Sequence, residues 1–264
     1  MNRVKHWTLW SIVGLVTVVG AVAPNVLALA PDQGQDRLLD RPRDSNQRDD
    51  DDDQGPRETE IVDRTVALPV NGTVRIKNFS GQIRVTSGSG RNVVVKATRR
   101  APRETLDRVK LDVATAGSTV TIDANRREPG FERRNNNVVE TQMTIEVPTS
   151  ADLDIDAFSS DVTVEGLSGD QRIKTFSGTI TVQGLKGEID AETFSADIRV
   201  TLDSTTKGNV SFSSFSGRLD SDVPISTMST GRRRSSNIEG TLSGGAGPRL
   251  RFHTFSGDVE LRSR

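Results

Sequence analysis

The sequence predicts an all-β protein: a single parallel β-solenoid of about 18–20 residues per coil. Alternation is the first observation behind this. From Ile61 onward apolar and polar residues alternate with period two, as in Val74-Arg75-Ile76, Leu153-Asp154-Ile155-Asp156-Ala157 and Ile198-Arg199-Val200, with Gly, Ser, Asp and Asn between the runs. The second is a repeated phrase. Phe-Ser, then a small residue, then an aliphatic one two places later, occurs at Phe79, Phe158, Phe176, Phe194, Phe215 and Phe255. The third is its period: Phe158, Phe176 and Phe194 are 18 residues apart. In a meander of hairpins, residues one full period apart lie on strands that are not neighbours, and nothing rewards keeping phase. In a solenoid they stack at the strand spacing of about 4.8 Å. Units repeated in this way bury their faces only by stacking on one another.

Met1 to Ala30 reads as an export signal. Arg3 and Lys5 precede an uncharged run of 17 residues, Trp7–Ala23, and Val26-Leu27-Ala28 and Ala28-Leu29-Ala30 offer small-residue cleavage sites. Cleavage after Ala28 avoids a proline at the new N-terminus, whereas cleavage after Ala23 or Ala30 leaves Pro24 or Pro31 there. The alternative is an uncleaved membrane anchor, slightly short of the roughly 20 residues a span needs. Residues 31–60 carry 11 acidic and 5 basic side chains, five of them in the run Asp49–Asp53, and only Leu38 and Leu39 are large and apolar. Such a segment cannot bury enough surface to offset its ordering entropy, so it is read as a disordered acidic linker.

Residues 61–264 are the folded domain. Each period holds two strands, such as Gly178–Gln183 and Gly187–Thr193, and two corners, Phe-Ser-Gly and Gly184-Leu185-Lys186-Gly187. The small residue after Phe-Ser is expected to supply a positive φ or a close backbone approach. The six Phe are expected to pack in the core as a ladder. Arg103–Val109 is the nearest candidate for a helical turn, and Pro224–Thr241 is a long polar insertion between the last two Phe-Ser corners.

The stretches "VRIKNFSGQIRV" (Val74–Val85), "IEVPTSADLDIDAFSSDVTVEGLSGD" (Ile145–Asp170) and "GGAGPRLRFHTFSGDVEL" (Gly244–Leu261) resemble bacterial exported proteins of the DUF4097 and putative-adhesin group. The resemblance implies a right-handed, pectin-lyase-like β-helix and an adhesin-like role. It implies no catalytic residues and no cofactor.

The residues offer little for catalysis. There is no Cys, which removes disulfides and thiolate metal sites. His6 lies in the signal, and His253 lies between inward-assigned Phe252 and Thr254, so it faces out. One mature His supplies neither a catalytic triad nor a zinc cluster. Asp152, Asp154 and Asp156 share an outward face, and Asp161 and Asp197 share a phase two coils apart. These carboxylates are the material for the alternative reading, a polysaccharide-active lyase or hydrolase, or for calcium. Both Trp lie in the signal and there is no Tyr, so the mature chain lacks the usual platforms for sugar stacking. A net charge of −1 gives no argument for nucleic acid. Arg232-Arg233-Arg234, in the insertion, is the expected partner-binding feature. The reading is an exported, non-enzymatic envelope protein without cofactor or metal, periplasmic, surface-bound or secreted, that meets another macromolecule and touches membrane only through an uncleaved N-terminus.

Overall fold

The apolar half of the alternation is the buried half. Val74, Ile76, Ile83 and Val85 are fully buried, and so are Ile155, Val162, Val164, Ile173, Ile180 and Val182. The computed structural model describes residues 56–131, 138–227, 237–245 and 247–264. The signal segment, most of the acidic linker and Arg232–Arg234 lie outside these residues.

Seventeen strands and one short helix form among the described residues. The N-terminal group is β1 (Arg57–Ala67), β2 (Thr73–Gly88), β3 (Asn92–Pro102), α1 (Arg103–Arg108), β4 (Val109–Ala116), β5 (Thr119–Arg127) and β6 (Glu140–Pro148). The repeats follow as β7 (Asp152–Glu165), β8 (Gln171–Thr175), β9 (Ile180–Gln183), β10 (Ile189–Thr193), β11 (Ile198–Leu202), β12 (Gly208–Ser214) and β13 (Leu219–Ser221). The insertion holds β14 (Ile225–Thr227) and β15 (Asn237–Leu242), and the chain ends in β16 (Arg249–Thr254) and β17 (Val259–Ser263).

Two parallel runs carry the repeats. The first is β2, β7, β8, β10, β16 and β12, with Leu153, Gln171, Ile189, Leu250 and Val210 in one register. The second is β2, β7, β9, β11, β17 and β13, with Val162, Ile180, Ile198, Val259 and Leu219 in register. β2 and β7 belong to both runs because they continue unbroken through the Phe-Ser corner.

The protein is all-β, but its sheet is mixed, not parallel throughout. β4 on β5, β1 on β3, β3 on β6, β15 on β12 and β14 on β15 are antiparallel pairs. They lie towards the ends of the parallel runs, where a stack of repeats leaves unpaired backbone groups that extra strands can satisfy. The repeats also do not stack in sequence order. β16 lies between β10 and β12, and β17 between β11 and β13.

The Phe-Ser-Gly corners are tight for the second of the two expected reasons. A Cβ on Gly178 would meet the Ser160 carbonyl oxygen at 2.1 Å, and one on Gly257 would meet that of Ala196 at 1.9 Å. A positive φ occurs at this motif position only at Gly81, at 124°. The opposite corners do use positive φ, at Gly166 and Gly184, and each delivers a buried Leu, Leu167 and Leu185. α1 falls on the expected helical turn and buries Leu106 against Ala101, Val109 and Val139. β1 begins at Arg57, inside residues that read as linker. Glu58 and Glu60 are held there by Arg103 and by the fully buried Arg99.

Candidate interaction surface

The residue before each repeated Phe settles where the ring goes. Asn78, Thr175, Thr193, Ser214 and Thr254 are buried, in phase with the inward Ile and Phe of their strands. The next side chain must point outward. Phe158, Phe176, Phe194 and Phe255 are 43–45% exposed, and Phe215 is 77% exposed. The expectation that these rings fill the core is therefore corrected. The core aromatics are Phe212 and Phe252 instead, which stack with Ala191 in the first parallel run.

The outward rings form a continuous ladder in the order Phe79, Phe158, Phe176, Phe194, Phe255, Phe215. Their centroids are 4.8, 4.9, 4.8, 4.7 and 4.9 Å apart, with interplanar angles of 3–7°. The backbone fixes this spacing. The N–H of Ser177 donates to the Phe158 carbonyl (2.7 Å), that of Ser195 to Phe176 (3.0 Å), that of Ser256 to Phe194 (2.9 Å) and that of Ser216 to Phe255 (2.9 Å). Each ring therefore gives its faces to its neighbours and its edge to solvent. The result is an apolar ridge roughly 24 Å long at the strand spacing. Its exposed surface is on the order of 500 Å², within the range of about 300–600 Å² for the largest apolar patch on a soluble protein, and such patches are often functional.

Charged side chains flank the ridge in ordered rows. One row on the first run reads Arg75, Asp154, Arg172, Asp190, Arg251, alternating in sign. Arg75 pairs with Asp154 at 2.9 Å and Arg251 with Asp190 at 3.8 Å. The row nearest the rings reads Lys77, Asp156, Lys174, Glu192, His253, with Lys174 and Glu192 at 2.5 Å. His253 is exposed, as its phase between Phe252 and Thr254 predicts. On the second run Arg262 Nη2 donates to Asp220 (2.8 Å), and that bond raises the guanidinium pKa above its ordinary value.

The carboxylates picked out by the sequence have backbone duties. Asp161 Oδ1 accepts from the Thr179 N–H (2.9 Å), and Asp197 Oδ1 from the Asp258 N–H (3.0 Å). Asp258 Oδ1 accepts in turn from the Arg218 N–H (2.9 Å). On the other run Asp152 Oδ1 accepts from the Asp170 N–H and Asp170 Oδ1 from the Glu188 N–H, both at 3.0 Å. Each clips its repeat to the next. Asp152 and Asp154, with Asp170, Arg172, Asp190 and Arg251, also border an open groove of about 290 Å³. Among the described residues no group of three or more His, Asp or Glu is placed to hold a metal ion. The outward ladder and the aspartate clips are the features that sequence reasoning missed; the phase of the residues beside them carried the signal.

Residues 149–262 match the family model described as Toastrack DUF4097. Over that span, less than half of its length, the chain is similar to the DUF4097 (Toastrack) family. The matched segment runs from the entry of β7 into β17 and holds five of the six ladder rings. No curated protein matches the chain. Among solved structures, one described as a putative cell adhesion protein from Clostridium sporogenes aligns with 78% of this chain and 100% of its own, at 7% identity and a TM-score of 0.56. At that identity the likeness shows the fold alone. A putative adhesin from Bacteroides fragilis aligns with 76% of this chain and 97% of its own at 9% identity, with a TM-score of 0.29. A putative lipid binding protein from Parabacteroides distasonis aligns with 78% and 97% at 10% identity, with a TM-score of 0.22. At such scores neither carries an argument. Among the described residues no helix is long and apolar enough to cross a membrane.

Proposed function

We propose that the chain is an exported, non-enzymatic envelope protein, adhesin-like, that grips another macromolecule with the Phe ridge of its Toastrack segment. The observation that carries this is the half-exposed stack of Phe176, Phe194 and Phe255, closed by the more exposed Phe215. Nothing in the core needs these rings outside. The ridge presents ring edges, which suit an apolar groove or stripe on a partner better than the face of a sugar. The similarity to a putative cell adhesion protein supports the same reading at the level of fold.

The fold reading that goes with it is a right-handed parallel β-solenoid of about 18–20 residues per coil, of pectin-lyase type. In-register parallel pairing from β7 through β8 and β10 supports it, as does the general handedness of parallel crossover connections. Export rests on the N-terminal apolar segment, with the envelope, the cell surface or the medium as destinations. The Arg232-Arg233-Arg234 run, outside the described residues, is proposed as a second contact. A polysaccharide-active enzyme is the second reading, favoured by the charged groove beside Asp152 and Asp154.

Retention of the purified chain on envelope material and on polysaccharides tests both readings. Retention by the wild type and its loss in Phe176→Ser/Phe194→Ser supports the ridge. Turnover of a polysaccharide that disappears in Asp161→Asn or Asp154→Asn establishes the enzyme instead.

A further inference from the structure

Four strands bound the sheet, each paired on one side only among the described residues: β1, β4, β13 and β14. An open edge invites a strand from another chain, and proteins blunt such edges with bulges, brevity, proline or charged side chains. Three of the four follow that rule. The register of β4 slips between Lys110 and Asp112, and β13 and β14 have three residues each, with Pro224 between them. β1 has no bulge, brevity or proline; its one such device is charge, in Arg57, Glu58, Glu60, Asp63 and Arg64, and both signs are present. It pairs with β3 over 11 residues without a shift, contains no proline, and buries none of its side chains. Its Ile61 is 80% exposed.

The sequence of β1 fits a copy of itself. When two identical strands pair antiparallel about a two-fold axis normal to the sheet, one residue lies opposite its own copy, because cross-strand neighbours share a face. With Ile61 at that position, Glu60 lies opposite Val62, Thr59 opposite Asp63 and Glu58 opposite Arg64, each twice, and the Glu58 carboxylate, held among the described residues only by the exposed Arg103 at 3.4 Å, has room for Arg64 as well. Centring on Glu60 or Asp63 would set two carboxylates face to face, and centring on Val62 would need Arg64 to meet Glu60, whose carboxylate is already held by the buried Arg99. Arg64 is available for the pairing: its Nη1 donates to the carbonyl of its own neighbour, Asp63. We infer that β1 is a self-association edge, and that two copies of this chain join through an antiparallel β1–β1 pair centred on Ile61. The inference is independent of the Phe ridge.

The chain has no cysteine, so single introduced thiols report this geometry cleanly. The full chain, purified in detergent, should sediment as a dimer. Ile61→Cys should oxidise to a covalent dimer far faster than Phe215→Cys, an exposed site that reports collision alone. Thr59→Cys and Asp63→Cys should crosslink when mixed and not separately. Glu58→Arg or Arg64→Glu should each weaken the dimer about tenfold, and the double reversal should restore it. A monomer at every concentration up to the solubility limit overturns the inference. So does a dimer in which Ile61→Cys crosslinks no faster than Phe215→Cys, or in which the charge reversals have no effect.

Discussion

The Phe255 ring stacks on Phe194 at 4.7 Å, and Phe215, which lies between them in sequence, stacks on its far side at 4.9 Å. The last repeat is thus a wedge between two earlier ones. Among the described residues, β12 and β13 reach the rest of the parallel stack only through β16 and β17.

A chain truncated after Pro248 should therefore lose order well before its own end. Limited proteolysis should open sites between Asp203 and Leu242 that the full chain protects. Unchanged cleavage there would mean that β12 finds β10 directly when the wedge is absent.

Ring burial makes a second test by ratio. Phe252 is fully buried, and Phe252→Ala should cost about 3–5 kcal/mol. Phe176→Ala removes a ring that is 45% exposed and should cost roughly 1–2 kcal/mol, through lost stacking and partial burial. Equal costs in denaturant titrations would return the Phe-Ser rings to the core.

Gln171 gives a test in the stabilising direction. It is buried in register between Leu153 and Ile189, and neither its amide nitrogen nor its amide oxygen has a hydrogen-bond partner among the described residues. Gln171→Leu removes that desolvation cost at similar volume and should raise stability by about 1–2 kcal/mol. A lower melting temperature would show that the amide is satisfied.

The aspartate clips predict a difference between two substitutions at one site. Asp197→Asn keeps an oxygen for the Asp258 N–H, and Asp197→Ala removes it. The alanine variant should lose about 1 kcal/mol more than the asparagine variant. Equal losses would mean that the carboxylate acts by charge alone.

Much of this was legible in the sequence. Period-two alternation marked the strands, and the 18-residue phase brought Phe158, Phe176 and Phe194 together. The same alternation, applied to His253, also places Phe255 outward, since Phe252 and Thr254 face in. Hydrophobicity argued for burying the rings and local phase argued for exposing them; phase wins because a strand cannot turn one residue over without turning its neighbours. The antiparallel end strands and the wedge of the last repeat were not legible, because they depend on which repeat meets which, and the repeats resemble one another. β1 was hidden by charge: Glu58 and Glu60 read as linker until Arg103 and Arg99 are seen beside them.

The most direct measurement pairs stability with binding in Phe176→Ser/Phe194→Ser. An outward, partner-binding ridge predicts cooperative unfolding with a modest loss of melting temperature, together with loss of retention on envelope material that the wild type binds. A variant that folds as well and binds as tightly as the wild type would contradict it, and so would one that fails to fold at all.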